Sequence, residues 1–359
     1  MTLIAVILAF IVFTIKNREP STVPAGKGLL VDKSWLTTSP HPLIAQKDVR
    51  PPDQTFLTYP EWFLVFSPAE QADYFETHTS TSFPYMKHID QMWKGYDVVY
   101  DQIKGNYPFN MGYHVMIIVI AGSTTVEYSL KSFYETIIGR VTDARQGESI
   151  TQEDQFNADY ERSYVNFISD LPWYEYDFNH QLKSLWTSTS FFGPHFLRKM
   201  ERKYYLTTEL LVKSGYGWLI KMATKSAYEQ ASLNTTVVLD RLPASLNGID
   251  GDKNIVPLAN GQIMANLPRY ARFNAAVCRL AIRNVNFKEI AGNKGAIMLT
   301  ALTSNNLKST NDFKLLFTQP IITKPGLNRV ALVTTVSNLS VVVKYLLDNN
   351  VVVEHIYDY

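Results

Sequence analysis

Cysteine is nearly absent: Cys278 is the single one in 359 residues. One thiol excludes an internal disulfide framework and a cysteine-rich zinc site. Excess charge is missing too. A formal net charge of +1 leaves no overall electrostatic footprint for nucleic acid, so no nucleic-acid partner is expected. The motifs of common chemistries are likewise absent, with no G-x-x-x-x-G-K-[ST] phosphate loop and no G-x-S-x-G nucleophile elbow. Gly215-x-Gly217 lies inside a helical pattern instead of following a strand, so it is not a dinucleotide loop. Neither H-E-x-x-H nor Glu-x-x-His occurs, which argues against a zincin site and a carboxylate-bridged di-iron bundle. No cofactor and no metal are expected on these grounds.

The histidines (His41, His78, His88, His114, His180, His195 and His355) are scattered. Glu76-Thr77-His78 and His88-Ile89-Asp90 come nearest to ligand pairs, in a Ser/Thr-rich stretch of the kind that surface loops collect. In the terminal EHIYDY, Glu354 and Asp358 would share one face of a strand and His355 the other, so they do not converge. No internal repeat and no low-complexity tract is evident.

What the chain does have is apolar and aromatic side chains, at 46% and 13% of residues. Thr2 to Ile15 is apolar apart from two threonines and is followed by Lys16 and Arg18. As a helix it covers about 22 Å against roughly 30 Å of hydrocarbon, and snorkelling of Lys16 and Arg18 extends its reach. No basic residue precedes the run and no A-x-A-like site follows it, so residues 1–16 read as an uncleaved, single-pass membrane anchor rather than a cleaved signal. The basic residues behind the run place the body in the cytoplasm if the positive-inside rule is taken literally. Short hydrophobic N-termini of this kind most often direct export, which favours the periplasmic or extracytoplasmic side. Residues 17–54, with six prolines and little periodicity, read as an extended linker or a strap laid on the body.

Residues 55–230 read as an aromatic-rich, mainly helical domain. Pro60 marks the first turn of one helix, and Ser67-Pro68 opens a second. Trp62, Phe63 and Phe66 fit the core better than an interfacial membrane patch. Met116 to Ala121 is an unbroken apolar run that is either a buried strand or a buried helical turn. Behind it, Thr124 and Glu127 have the spacing of a capping box that starts a helix. Val126, Leu130, Phe133, Ile137 and Val141 then recur as one stripe, expected to be buried, with Glu127, Lys131 and Glu135 pairing along the flank. Arg198, Lys199, Arg202 and Lys203 form a compact basic cluster on a long helical pattern. Its two readings are a solvated face pairing with Glu201 and Glu209, and a contact for anionic lipid head groups.

Residues 231–359 change texture. Strand patterns at Thr235–Leu239, Ala296–Leu302, Phe313–Ile322, Arg329–Thr335 and Val351–Tyr357 alternate with helices at Pro268–Ile282 and from Asn338 through Leu347. That order predicts a C-terminal ferredoxin-like split-βαβ sandwich, and the chain as a whole an α+β protein. The expected function is a membrane-anchored, non-enzymatic envelope protein that binds a membrane-protein partner or an apolar ligand. The alternative is a membrane-tethered enzyme with an acid/base site in an inter-domain cleft, for which His114, Glu127 and His88 are the candidate residues.

Overall fold

A computed structural model describes residues 29–36, 41–144, 150–227, 233–242 and 255–358, so the expected anchor over residues 1–16 lies outside the described residues. These form a mixed α+β protein in two compact units. Of the described residues, one contains those from Trp62 to Asp90 and from Gly122 onward to 227; the other contains those from Leu29 to Glu61, from Gln91 to Ala121 and from 233 to the C-terminal end. Among the described residues, no helix is long and apolar enough to cross a membrane.

The helices are α1 (Gln54–Phe75), α2 (Tyr85–Ile103), α3 (Met111–Tyr134), α4 (Gln152–Ile168), α5 (Phe178–Ser188) and α6 (Phe196–Ala227). α1 runs through both Pro60 and Pro68, so the helix starts expected there do not exist. Phe56, Tyr59, Phe63 and Phe66 are buried, and that burial along one helix outweighs the two missing amide donors. α3 begins at Met111, where the Tyr113 amide donates to Asn110 Oδ1 at 3.3 Å, and it absorbs the Met116–Ala121 run as helix. Thr124 therefore sits mid-helix, and the capping box expected of Thr124 and Glu127 is not one. The helical path continues through a π turn at Glu135–Gly139 and on through Arg140–Ala144. A true capping box opens α4, where Thr151 and Asp154 each accept from the other's amide.

The largest correction concerns direction. The stripe on α3 exists, but it faces outward: Leu130 is 65% exposed and Phe133 67%, with Ile137 and Val141 also exposed. Among the buried residues of the same segment are Lys131, Glu135 and Thr142, beside Tyr128. α6 repeats the inversion. Leu197, Leu211, Val212, Trp218 and Leu219 are exposed, while Arg198, Lys199, Arg202 and Lys203 are between 0% and 3% exposed. The basic cluster is thus neither a solvated face nor a surface for head groups.

In the other unit, the described part of the Pro-rich segment lies on the body as a strap. The Leu30 amide donates to Gln102 Oε1 at 2.8 Å, and the Leu43 and Ile44 amides reach the Glu289 carboxylate at 2.8 and 3.2 Å. The C-terminal strands are β1 (Asn234–Leu239), β2 (Val256–Pro257), β3 (Ile263–Pro268), β4 (Phe287–Ile290), β5 (Ala296–Thr303), β6 (Lys314–Pro320), β7 (Asn328–Thr335) and β8 (Val352–Ile356). Helices α7 (Ala271–Ile282) and α8 (Leu339–Asp348) lie among them. Where one sandwich sheet was expected, there are two four-stranded antiparallel sheets, ordered β2-β3-β1-β4 and β6-β7-β5-β8. Strands β2, β3 and β4 carry weak sequence signals: all three are short, β2 and β3 end on Pro257 and Pro268, and Asn266 sits within β3.

The two sheets are one pattern used twice. β3 and β4 both pair antiparallel with β1, so they run parallel with β1 between them and α7 as their connection. β7, β8, β5 and α8 repeat this arrangement. Even a ladder irregularity recurs, between Val238 and Leu239 in one sheet and Thr300 and Ala301 in the other. Val237, Phe273, Val277 and Leu280 of the first copy share one core with Leu299, Leu339, Val343 and Leu346 of the second. The contacts are reciprocal: Asn274 on α7 bonds the backbone of Glu354 and Ile356, and Ser340 on α8 bonds the Val285 carbonyl. The repeat that sequence inspection did not find is therefore present in topology.

Candidate functional site

The three candidate residues occupy separate settings. His114 lies in the first turns of α3, buried, with Nδ1 2.9 Å from the Tyr96 hydroxyl and its ring stacked on Phe109 at 4.6 Å. Burial pushes its pKa down, against the opposing pull of Asp53. Asp53 is itself buried, and that burial raises its carboxyl above the usual range despite a hydrogen bond from Asn110. Glu127 is thirteen residues further along the same helix, about 20 Å away at 1.5 Å per residue, so it cannot pair with His114. It faces Lys131 and Lys213 instead, at 3.2 and 3.4 Å.

His88 on α2 is fully buried. Its Nδ1 lies 2.9 Å from Ser67 Oγ, and its Nε2 lies 3.6 Å from Glu70 Oε2. This is a serine–histidine–carboxylate sequence of contacts. Ser67 is 1% exposed, however, and its Oγ is also bonded to the Tyr128 hydroxyl at 2.9 Å, so no substrate carbonyl reaches it. His78, the other half of the expected ligand stretch, stacks on Tyr74 at 4.3 Å. Among the described residues, no group of His, Cys, Asp and Glu is arranged to hold a metal ion. At the C-terminus, Glu354 pairs with Arg329 at 2.7 Å and Asp358 with Arg269 at 3.4 Å, while His355 is buried beside Asn274. The three do not converge: each has its own partner, and Asp358 lies past the end of the last strand.

What is brought together is a polar seam where α3 and the π turn after it, α4 and α6 meet. Along it, Lys131 Nζ meets Glu209 Oε1 at 2.9 Å and Glu161 Oε1 at 3.7 Å, and Lys213 meets Glu209 at 2.7 Å. Further on, Arg202 binds Glu135 at 2.7 Å and lies 4.8 Å from the Tyr205 ring. Arg198 binds Asp154 at 2.7 Å, and Lys199 binds Glu153 at 2.9 Å. Burial pushes Glu209 up, but Lys131 and Lys213 outweigh it and hold its pKa down to about 2. In Glu161 burial wins over the same two lysines and the pKa rises. Three carboxylates (Glu127, Glu161, Glu209) around two ammonium groups (Lys131, Lys213) thus leave Glu161 as the member best suited to carry a proton.

Each ion pair of the seam is closed by another member of the seam, which locks two antiparallel helices in register. Sequence reasoning saw the Glu127–Lys131 spacing but missed Glu161 and Lys213. The signal available was that the charged side chains of α6 recur away from Leu197, Leu211, Val212 and Leu219. No family model, curated protein or solved structure matches this chain.

Proposed function

We propose that this chain is a membrane-anchored, non-enzymatic protein of the cell envelope, held by residues 2–15, whose body is a binding or accessory module for a membrane-protein partner or an apolar ligand. The observation that carries this reading is the polarity of one side of the helical unit, where ion pairs lie inside and Leu130, Phe133, Leu211 and Trp218 lie outside. Such a surface suits an apolar surrounding and sits poorly in water. The body is placed on the extracytoplasmic side. Its C-terminal part is read as a doubled ferredoxin-like module, supported by the two split-βαβ units β3-α7-β4 and β7-α8-β8.

Fractionation of cells expressing the full chain tests the anchor. Retention in the alkaline-carbonate-washed membrane pellet is expected, and release into the wash overturns it. His114→Ala and Glu127→Gln test the non-enzymatic part. Both are expected to lower the melting temperature, because each residue has a structural partner. Loss of function with the melting temperature unchanged would instead favour the tethered enzyme.

A further inference from the structure

The outward side of α6 carries no exposed charge over a long distance. From Phe196 to Ile220 every charged residue (Arg198, Lys199, Glu201, Arg202, Lys203, Glu209, Lys213) is buried or half-buried, and the exposed ones are apolar, aromatic, Thr or Gly. At 1.5 Å per residue this is about 36 Å of helix, against roughly 30 Å of bilayer hydrocarbon. Polar groups return at both ends: Arg140 is exposed near the α6 N-terminus, and Lys221 pairs with Glu175 beyond the other end. Exposed Trp218 and Tyr216 lie just inside that second end, the residue types that favour the edge of a hydrocarbon layer.

α3 contributes to the same surface. Ion pairs 131–209 and 135–202 show the two helices antiparallel, with one seam between them. On each helix the exposed stripe lies about 100° around from that seam in the same rotational sense, by the 3.6-residue period. For antiparallel neighbours this brings both stripes to one side. Leu130, Phe133 and Ile137 therefore lie on the same side as Tyr204, Leu211 and Val212. α4, in the same unit, behaves ordinarily, since its exposed residues include Gln155, Asp159, Ser163 and Asn166. The inversion belongs to one side of the unit.

We infer that this face of α3 and α6 is seated in the acyl region of a lipid bilayer, independently of the N-terminal run. Bilayer hydrocarbon is favoured over a protein partner by the polarity order. Charges are drawn into the seam, where each finds a partner, and the medium outside must be less polar than the seam itself. The length without exposed charge and the aromatic edge point to the same occupant. The inference rests on the membrane reading above and extends it from the anchor to the body.

Spin labelling of the full chain in phosphatidylcholine/phosphatidylglycerol vesicles tests it. In a Cys278→Ser background, single cysteines replace Leu130, Leu211 and, as a control on α4, Gln155. All three sites are at the surface, so each labelled chain keeps its seam and its melting curve. The expected result is an oxygen-to-nickel accessibility ratio several-fold higher at 130 and 211 than at 155. Equal, nickel-dominated accessibility in chains that still float with the vesicles overturns the inference and leaves the anchor standing. Low accessibility to both reagents overturns it in favour of a second copy or a protein partner. Chains that do not float with the vesicles overturn both readings.

Discussion

Lys131 Nζ lies 2.9 Å from Glu209 Oε1, and both side chains are buried between helices whose opposite faces are apolar and exposed. A pair in that setting is costly to break from one side only, because the remaining charge stays in the interior with one counterion fewer: Glu209 keeps Lys213, and Lys131 keeps Glu127 and Glu161. Lys131→Met and Glu209→Gln are each expected to destabilise the protein by about 3–5 kcal/mol in urea unfolding. The double replacement Lys131→Met/Glu209→Leu should cost clearly less than the sum. Additive effects would show that the two groups do not depend on each other.

Arg202 makes a more demanding contact. Its guanidinium spans Glu135 and Glu201, donates to Ser80 Oγ at 2.7 Å and lies over Tyr205. An ammonium group can satisfy one carboxylate but cannot reproduce the planar fork or the stacking. Arg202→Lys is therefore expected to lose about 2 kcal/mol or more, on the scale of hydrogen bonds to charged groups. A melting temperature equal to that of the parent protein would mean the fork is not needed.

Asp358 sets a pH dependence of opposite sign to that of Glu209. Burial raises its carboxyl to about 6, although Arg269 beside it pulls the value down. Between the unfolded value near 4 and about 6 the folded chain holds the proton more tightly, so this group's contribution to stability falls as pH rises through that window. With a shift of this size the change is about 3 kcal/mol. Glu209, held down to about 2, contributes stability above its ordinary range that is lost only as pH falls toward 2. Asp358→Asn should flatten the stability profile between pH 4 and pH 6 and leave the steeper acid limb. An unchanged profile in that window would place the titrating group elsewhere.

Periodicity located most of these elements but could not say which side of them was wet. The spacing of Leu130, Phe133 and Ile137 marks one face of α3, and apolar stripes in water point inward. That rule presumes an aqueous surrounding, and Lys131 and Glu135 occupy the interior instead. Local signals also misled: Thr124-x-x-Glu127 has capping-box spacing in mid-helix, and Pro60 and Pro68 lie within α1. Tertiary contacts decided those cases, through the Lys131–Glu209 pair and the burial of Tyr59 and Phe63. The candidate residues were named without their partners. Tyr96 lies eighteen positions from His114, and Lys213 lies far from Glu127, which no spacing rule connects. In the C-terminal part, β7, α8 and β8 were legible because Val-rich runs flank a regular helix. Their counterparts β3, α7 and β4 carry the same plan with weaker strands.

That shared plan makes a paired prediction. Asn284 and Asn350 follow α7 and α8 at equivalent places, with φ of 55° and 57°. In each case the next residue's amide closes back on the helix: Val285 to Leu280 at 3.0 Å, and Val351 to Leu346 at 2.9 Å. Both valines are buried in the common core, so the turn must deliver the chain inward within one residue. A left-handed residue does this, and asparagine tolerates that conformation better than residues with a Cβ and no local hydrogen bonding. Asn350→Ala should destabilise by about 1 kcal/mol, and Asn350→Gly should cost little or nothing. The same pair of changes at Asn284 should differ by a similar amount, although Asn284 Oδ1 also accepts from Lys344 at 2.9 Å and its alanine variant loses that contact as well. If glycine is no better than alanine at both positions, the left-handed turn is not what joins each helix to its strand.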